Sequence, residues 1–210
     1  LKDRVRSYFN KDIVETRSPL VSKMLSEFDH IENMQTDSVL EALVLEAHLI
    51  KKYQPEANIK EKDNKSFNFV VITDENYPRI LIVRERELIM QSKGGPWNPR
   101  TPLGFLCKYS FGPFPNGSQL KEAMKIVRKM FPYRDRCAFG QKRACFNYQI
   151  GLCPGVCIGA VDQKEYSKTI ENIKTFFEGN KKKLIKNLEK QMKDFAKTKE
   201  FEKASKIKKT

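Results

Sequence analysis

Four of the five cysteines, Cys137, Cys145, Cys153 and Cys157, are crowded into one short stretch, with seven, seven and three residues between them. The surrounding segment, Arg134 to Gly159, has little apolar periodicity. A stretch that cannot be ordered by burying a stripe of side chains must be ordered through its thiols. No apolar core of a secretory signal stands at the N-terminus, which sets the expectation of a cytoplasmic chain, where disulfides are rare. Four thiolates then have two uses: they close a tetrahedral zinc site, or they hold an iron–sulfur cluster. Paired zinc ligands are usually roughly two to four residues apart, a spacing met only at Cys153 and Cys157, and spacing leaves both metals open. The remaining reading is four inert buried thiols. Cys107 lies well apart.

A second stretch, Thr36 to Asn58, constrains the chain almost as strongly. Leu40, Leu43, Val44, Ala47 and Ile50 recur at helical spacing, Ser38 and Glu41 form a capping-box pattern, and Pro55 follows the end. On that helix Glu46 neighbours Ala42, Leu43, Leu49 and Ile50, so an acid stands beside an apolar stripe. A desolvated, unpaired carboxylate costs roughly several kcal/mol. Glu46 is therefore either a flank residue that reaches water or a basic partner, or a metal-binding carboxylate on a rigid helix.

Charge ranks the partners. With 40 Lys plus Arg against 26 Asp plus Glu, the net charge of +14 favours a polyanion such as nucleic acid. A helix expected from Ser118 to about Phe131 turns Lys121, Lys125, Arg128 and Lys129 away from Leu120, Met124 and Val127. Around the cysteines, Arg134, Arg136, Lys142 and Arg143 are interleaved with Phe139, Phe146 and Tyr148, a combination suited to phosphate contact and base stacking. The other reading of those aromatics is a cover over the cysteine site. Candidate DNA contacts are thus Lys121, Lys125, Arg128, Arg134, Arg136, Lys142 and Arg143. No run approaches the ~18 apolar residues of a membrane span, so no membrane partner is expected.

Elsewhere the pattern predicts short helices at Leu1–Phe9 and Pro19–Phe28 and a weak strand between His30 and Thr36. Strands at Phe67–Thr73 and Arg79–Val83 form a hairpin through DENYP. From Arg84 to Pro102 the pattern fails, and SKGGPWNPRTP reads as a loop. FGPFPNGS, residues 111–118, reads as a turn-rich entry to the basic helix. Asp162 and Glu165 start a helix with Tyr166, Ile170, Ile173 and Phe177 on one face, and Gly179 ends it. Leu184, Ile185, Leu188, Met192 and Phe195 continue a helical stripe, and EFEKASKIKK starts the second arm of a helical hairpin, a candidate docking element.

In order along the chain, RVRSYF, TDSVLEALVLEAHLIKKYQP with Asn58, KDNKSF, FGPFPNG, the C-x7-C-x7-C-x3-C spacing and FEKAS resemble the UvrC family. These are bacterial excinuclease subunits that incise damaged DNA in nucleotide-excision repair, and the likeness covers nearly the whole chain. It implies an α+β fold: a small GIY-YIG-like antiparallel sheet with flanking helices over residues 1–85, and a loop or insertion over 86–110. A cysteine-rich region over 111–160 and a helical region over 161–210 follow, the last resembling the start of the UVR motif that engages UvrB. The resemblance implies catalytic roles for Arg4, Tyr8, Glu46 and Asn58, with Mg2+ or Mn2+ on Glu46. It also tips Cys137, Cys145, Cys153 and Cys157 toward a [4Fe–4S] cluster over Zn2+. Damaged double-stranded DNA and UvrB are the implied partners, with incision on the 3′ side of the lesion. The family's two motif strands would precede Leu1, so the chain is expected to be an inactive piece of a longer one. Two departures stand out: Pro55-Glu56-Ala57-Asn58 replaces the usual P-x-Y-N, and the stretch from Glu85 to Lys108 exceeds the family norm. The alternatives are a non-catalytic, metal-stabilised nucleic-acid-binding module and another GIY-YIG endonuclease.

Overall fold

The computed structural model describes residues 2–9, 19–56, 67–92 and 107–208. At its centre β1 (Asn68–Thr73) runs antiparallel to β2 (Ile80–Arg84) on one side and β3 (Cys107–Phe114) on the other. FNFVVIT is almost continuously apolar because both faces of this middle strand are covered. Successive side chains leave a strand on opposite faces. Val70 and Ile72 therefore join the main core with Ile80 and Phe114, while Val71 joins Leu81 and Val83 in a smaller cluster behind the sheet. The register pairs Val70 with Ile82 and Val71 with Leu81. Side chains close the turn between β1 and β2: the Thr73 hydroxyl donates to Glu75 at 2.6 Å and accepts the Arg79 N–H at 2.8 Å. Arg79 Nε donates to the same carboxylate at 2.9 Å.

Helices α1 (Lys2–Ser7) and α2 (Pro19–Glu27) precede α3 (Val39–Tyr53), and α4 (Glu85–Ser92) follows β2. After β3 come α5 (Gly117–Met130), the single turn α6 (Phe146–Gln149), α7 (Gln163–Phe177), α8 (Lys181–Lys197) and α9 (Phe201–Lys208). The main core draws Leu43, Val44 and Ala47 from α3, Leu120, Met124 and Val127 from α5, and Tyr166, Ile170, Ile173 and Phe177 from α7. Each large apolar side chain buried there contributes about 1.5–3 kcal/mol. The ring of Phe111 on β3 stacks on that of Phe177, with centroids 5.3 Å apart. The hairpin of α8 and α9 is present as expected, and α8 is tied to α7 by reciprocal amide bonds of 3.3 Å between Asn172 and Gln191.

The α+β class and the small antiparallel sheet with flanking helices are as expected; three local expectations are not. Residues 29–36 form no strand: they are irregular and almost wholly exposed, with no neighbour supplying a ladder of hydrogen bonds. The loop expected over 86–110 contains most of α4 and the start of β3, while residues 93–106 lie outside the described residues. The start of α4 is stabilised locally, because the Glu87 carboxylate accepts the Arg84 N–H at 2.9 Å and Glu85 and Glu87 meet the positive end of the helix dipole. Leu88 then packs on the small cluster behind the sheet. Finally, FGPF is not a turn but the end of β3. An edge strand tolerates Pro113, which lacks an N–H, and the pairing with β1 is irregular there. Gly112 is required by close approach, since a Cβ would lie 2.7 Å from Phe69 Cδ1.

Candidate metal centre and nuclease helix

The cysteine segment is held by short turns. Cys145 precedes α6 and its carbonyl accepts the Tyr148 N–H at 3.0 Å; Cys153 and Cys157 flank a bend at Gly155, whose φ is +88°. A Cβ on Gly155 would come within 2.7 Å of Ala160 Cβ and 2.8 Å of Tyr148 Cε2. Val156, fully buried, anchors the bend in the main core. These turns bring the Sγ atoms of Cys137, Cys145 and Cys157 within 4.8 Å of one another. The Cys145 N–H points at Cys157 Sγ, 3.4 Å away. Burial, then repulsion from the other three thiolates, pushes Cys137 up to about 12. Burial opposes ionisation of Cys145 as well, yet the Tyr148 N–H and the three neighbouring thiols bring it below the ordinary thiol range. Thiols this close ionise together only when a cation compensates them.

The donor set therefore fits a metal. A tetrahedral zinc with Zn–S bonds of about 2.3 Å sets its sulfurs about 3.8 Å apart, compatible with the three thiols that lie within 4.8 Å of one another; Cys153, the fourth predicted ligand, is not in that group. Thiolates on the separate irons of a cluster stand wider. An open depression of 320 Å³ lies beside Cys137 and Cys145, lined also by Asp135, Arg136, Gln141, Phe146 and Asn147; Cys153 and Cys157 do not line it.

Two arginines frame the segment. Arg134 is buried; its Nε donates to Cys137 O at 2.6 Å and its Nη1 to Tyr77 O at 2.7 Å, and its backbone N–H donates to the Tyr166 hydroxyl. Arg128 donates to Leu152 O at 2.9 Å, Tyr133 O at 3.0 Å and Asp135 Oδ2 at 2.7 Å. Sequence reasoning placed both among exposed DNA contacts; their guanidiniums are instead engaged inside the protein. No local pattern separates them from Arg136 and Arg143, which are exposed together with Lys142, Lys121 and Lys125; Lys125 pairs with Glu122 at 2.7 Å. Phe146 is 71% exposed; Phe139 stacks one face on Tyr77, with centroids 5.1 Å apart, and is itself 59% exposed.

Glu46 sits on α3, half-buried at the rim of the stripe formed by Leu43, Val44, Ala47 and Ile50. Among the described residues it makes no hydrogen bond or ion pair. The helix beneath it is fixed at both ends. Ser38 Oγ accepts the Glu41 N–H at 3.1 Å, and Lys181 pairs with Asp37 and Glu41. Further along, His48 Nε2 lies 3.1 Å from Phe177 O, a contact that sequence reasoning missed. Tyr8 follows α1 and is half-buried; Arg4 lies within α1, where its backbone alone is described, and Asn58 lies outside the described residues. Among the described residues no helix is long and apolar enough to cross a membrane.

Comparison with known proteins separates two matched stretches. A UvrC-like GIY-YIG domain model matches residues 1–59, which hold α1 to α3, and the UvrC/Cho excinuclease middle-domain model matches residues 67–176, which hold the whole sheet and the four cysteines. The UvrABC system protein C of Synechococcus elongatus is 38% identical over 209 residues, covering 99% of this chain and 30% of that protein. Those of Caldanaerobacter subterraneus and Carboxydothermus hydrogenoformans are 36% and 38% identical, again over 99% of this chain, and 31% and 32% of their own lengths. The chain thus spans about a third of the length of the curated relatives it matches. No solved structure matches it. With a family model covering more than half of its residues and relatives 36–38% identical along 99% of its length, the chain belongs to the UvrC family.

Proposed function

We propose that this chain is part of an excinuclease subunit that, together with UvrB, incises damaged double-stranded DNA on the 3′ side of the lesion. The observation that carries the reading is Glu46: a carboxylate unengaged among the described residues, on a capped, core-anchored helix within the stretch similar to UvrC-like GIY-YIG domains. Glu46 would hold one Mg2+ or Mn2+, leaving coordination positions for water and a substrate phosphate. Bound there, the cation supplies stabilisation of charge on the leaving 3′-oxygen. The chain's own part is to keep the carboxylate still, through the buried stripe and the His48 contact. Arg4 is assigned a fixed cation beside the phosphoryl oxygens, and Tyr8 and Asn58 line the same site, by the likeness of their motifs.

The remaining chain serves DNA and partner binding. Lys121, Arg136, Lys142 and Arg143 are exposed to meet phosphates, as is Lys125 once it leaves Glu122, with Phe146 available for base stacking. The hairpin of α8 and α9 docks UvrB. Cys137, Cys145, Cys153 and Cys157 hold a [4Fe–4S] cluster, favoured by the likeness of the cysteine pattern; the close approach of Cys137, Cys145 and Cys157 favours zinc. Stoichiometric zinc without iron after anaerobic purification overturns the cluster assignment.

Glu46→Gln in the intact excinuclease tests the main reading. Because each tenfold in rate is about 1.4 kcal/mol of barrier, loss of this ligand should slow metal-dependent incision by orders of magnitude while DNA binding stays nearly unchanged. Normal incision by the variant sinks the assignment. A non-catalytic DNA-binding module is the second reading, favoured by the exposed Phe146 beside Arg136, and such a result would support it.

A further inference from the structure

Helix α8 carries a row of cations with no use in the function proposed above. Lys182, Lys186, Lys190, Lys193 and Lys197 are all exposed. At 100° per residue they fall within an arc of about 80°, and at 1.5 Å per residue they span about 22 Å of helix. The opposite side is committed to the protein: Leu184 and Leu188 pack against the main core, and Gln191 is bonded to Asn172 of α7. The helix cannot roll, so the row is held outward.

Neighbouring lysines of the same helix have acidic partners. Lys181 pairs with Asp37 and Glu41, and Lys183 lies 4.0 Å from Glu171. Among the described residues the five lysines of the row form no ion pair; the acids of this helix, Glu189 and Asp194, stand just beyond the two edges of their arc. Like charges at i and i+4 destabilise a helix, and Lys182 adds charge at the positive end of the helix dipole. The row is unfavourable in the free chain and becomes favourable when a polyanion covers it.

We infer that this face of α8 is a contact for the phosphate backbone of duplex DNA, a surface additional to the cations around the cysteine segment. One strand presents about six phosphates over 22 Å of duplex, enough to meet every lysine of the row. The arc offers cations without aromatic or amide groups for reading base edges, so the contact is independent of sequence. An anionic membrane suits the row less well, because an interfacial helix needs its apolar side turned to the bilayer, and here that side is covered by protein. The inference deepens the reading of DNA as partner and rests on it.

The test uses the metal-loaded 210-residue chain and a labelled duplex of about 30 base pairs, titrated between about 50 and 200 mM KCl. Replacing all five lysines of the row by Gln, whose helix propensity is close to that of Lys, should weaken binding by about tenfold or more. The slope of log K against log[salt] should become shallower by about 4 to 5, because each phosphate that a lysine neutralises contributes about 0.9 to it. The matching Lys→Arg variant should keep both affinity and slope. Lys186→Gln with Lys190→Gln, a lighter change that guards against misfolding, should reduce the slope by about 2. Unchanged affinity and slope in the Gln variants overturn the inference alone. Loss of binding to phosphatidylserine vesicles with unchanged DNA binding also overturns it, in favour of a membrane. No binding of duplex by the unsubstituted chain overturns it together with the DNA reading.

Discussion

Arg134 gives the sharpest test of how the cysteine segment is held. Its side chain reaches Cys137 O at 2.6 Å, Tyr77 O at 2.7 Å and Glu75 Oε1 at 3.7 Å, and only 9% of it is exposed. Arg134→Met keeps most of the packing volume and removes the donors. Two carbonyls are then deprived of charge-assisted hydrogen bonds of about 1.5–3 kcal/mol each. Glu75 keeps Arg79 Nε at 2.9 Å, so its carboxylate is not stranded and the full penalty of a broken buried pair does not apply. The sum is a loss of about 3–5 kcal/mol in unfolding free energy. Arg136→Met, at an exposed neighbour, should stay within about 0.5 kcal/mol. Denaturant unfolding of the metal-loaded chain measures the difference. Chelator-induced thiol release, followed with a chromogenic reagent, should be faster in the Arg134 variant because Cys137 loses its tie to the turn between β1 and β2. A difference below about 1 kcal/mol between the two variants, or equal release rates, refutes the argument.

Two further predictions concern stability away from the thiols. Burial pushes the Tyr133 phenol up to about 12, so folding favours its neutral form. The stability it contributes is intact below its unfolded pKa of about 10 and is lost as pH rises from there through about 12. Tyr133→Phe should flatten the alkaline fall of the denaturant midpoint over that window relative to the unsubstituted chain; an equally steep fall refutes the assignment. Asn172→Leu leaves Gln191 facing an apolar partner and should cost about 1–2 kcal/mol, whereas Asn172→Leu with Gln191→Leu should be nearly neutral. A double-mutant cycle by thermal unfolding checks this, and additive losses would show that the amide pair does not act as a unit.

Much of the fold was legible in the sequence wherever the cause is local. Ser38 caps α3 and Asp162 caps α7 as their positions imply, because a cap needs only a side chain and the N–H groups two or three residues on. The apolar periods of α3, α5 and α7 face the core, since a helix with one apolar stripe has one way to bury it. The stripe also placed Glu46 at its rim, and of the four cysteines expected to form one group the structure gathers Cys137, Cys145 and Cys157. Asn116 moved the start of α5 only to Gly117.

Tertiary structure decided the rest, through partners far apart in the chain. Arg134 and Arg136 are indistinguishable by type and neighbourhood; one is buried because Tyr77, 57 residues away, offers a carbonyl in the right place. His48 steadies the Glu46 helix through Phe177, 129 residues on. The sequence FGPF carries turn residues, yet β1 draws it into the sheet as an edge strand, while the apolar residues between His30 and Thr36 remain without a strand to pair with. By itself the sequence determined which segments curl, which extend and which thiols stand near one another in the chain, because those preferences act over a few residues. Which cations stay exposed and which are engaged in holding the cysteine segment was set only when the sheet, α5 and α7 closed around it.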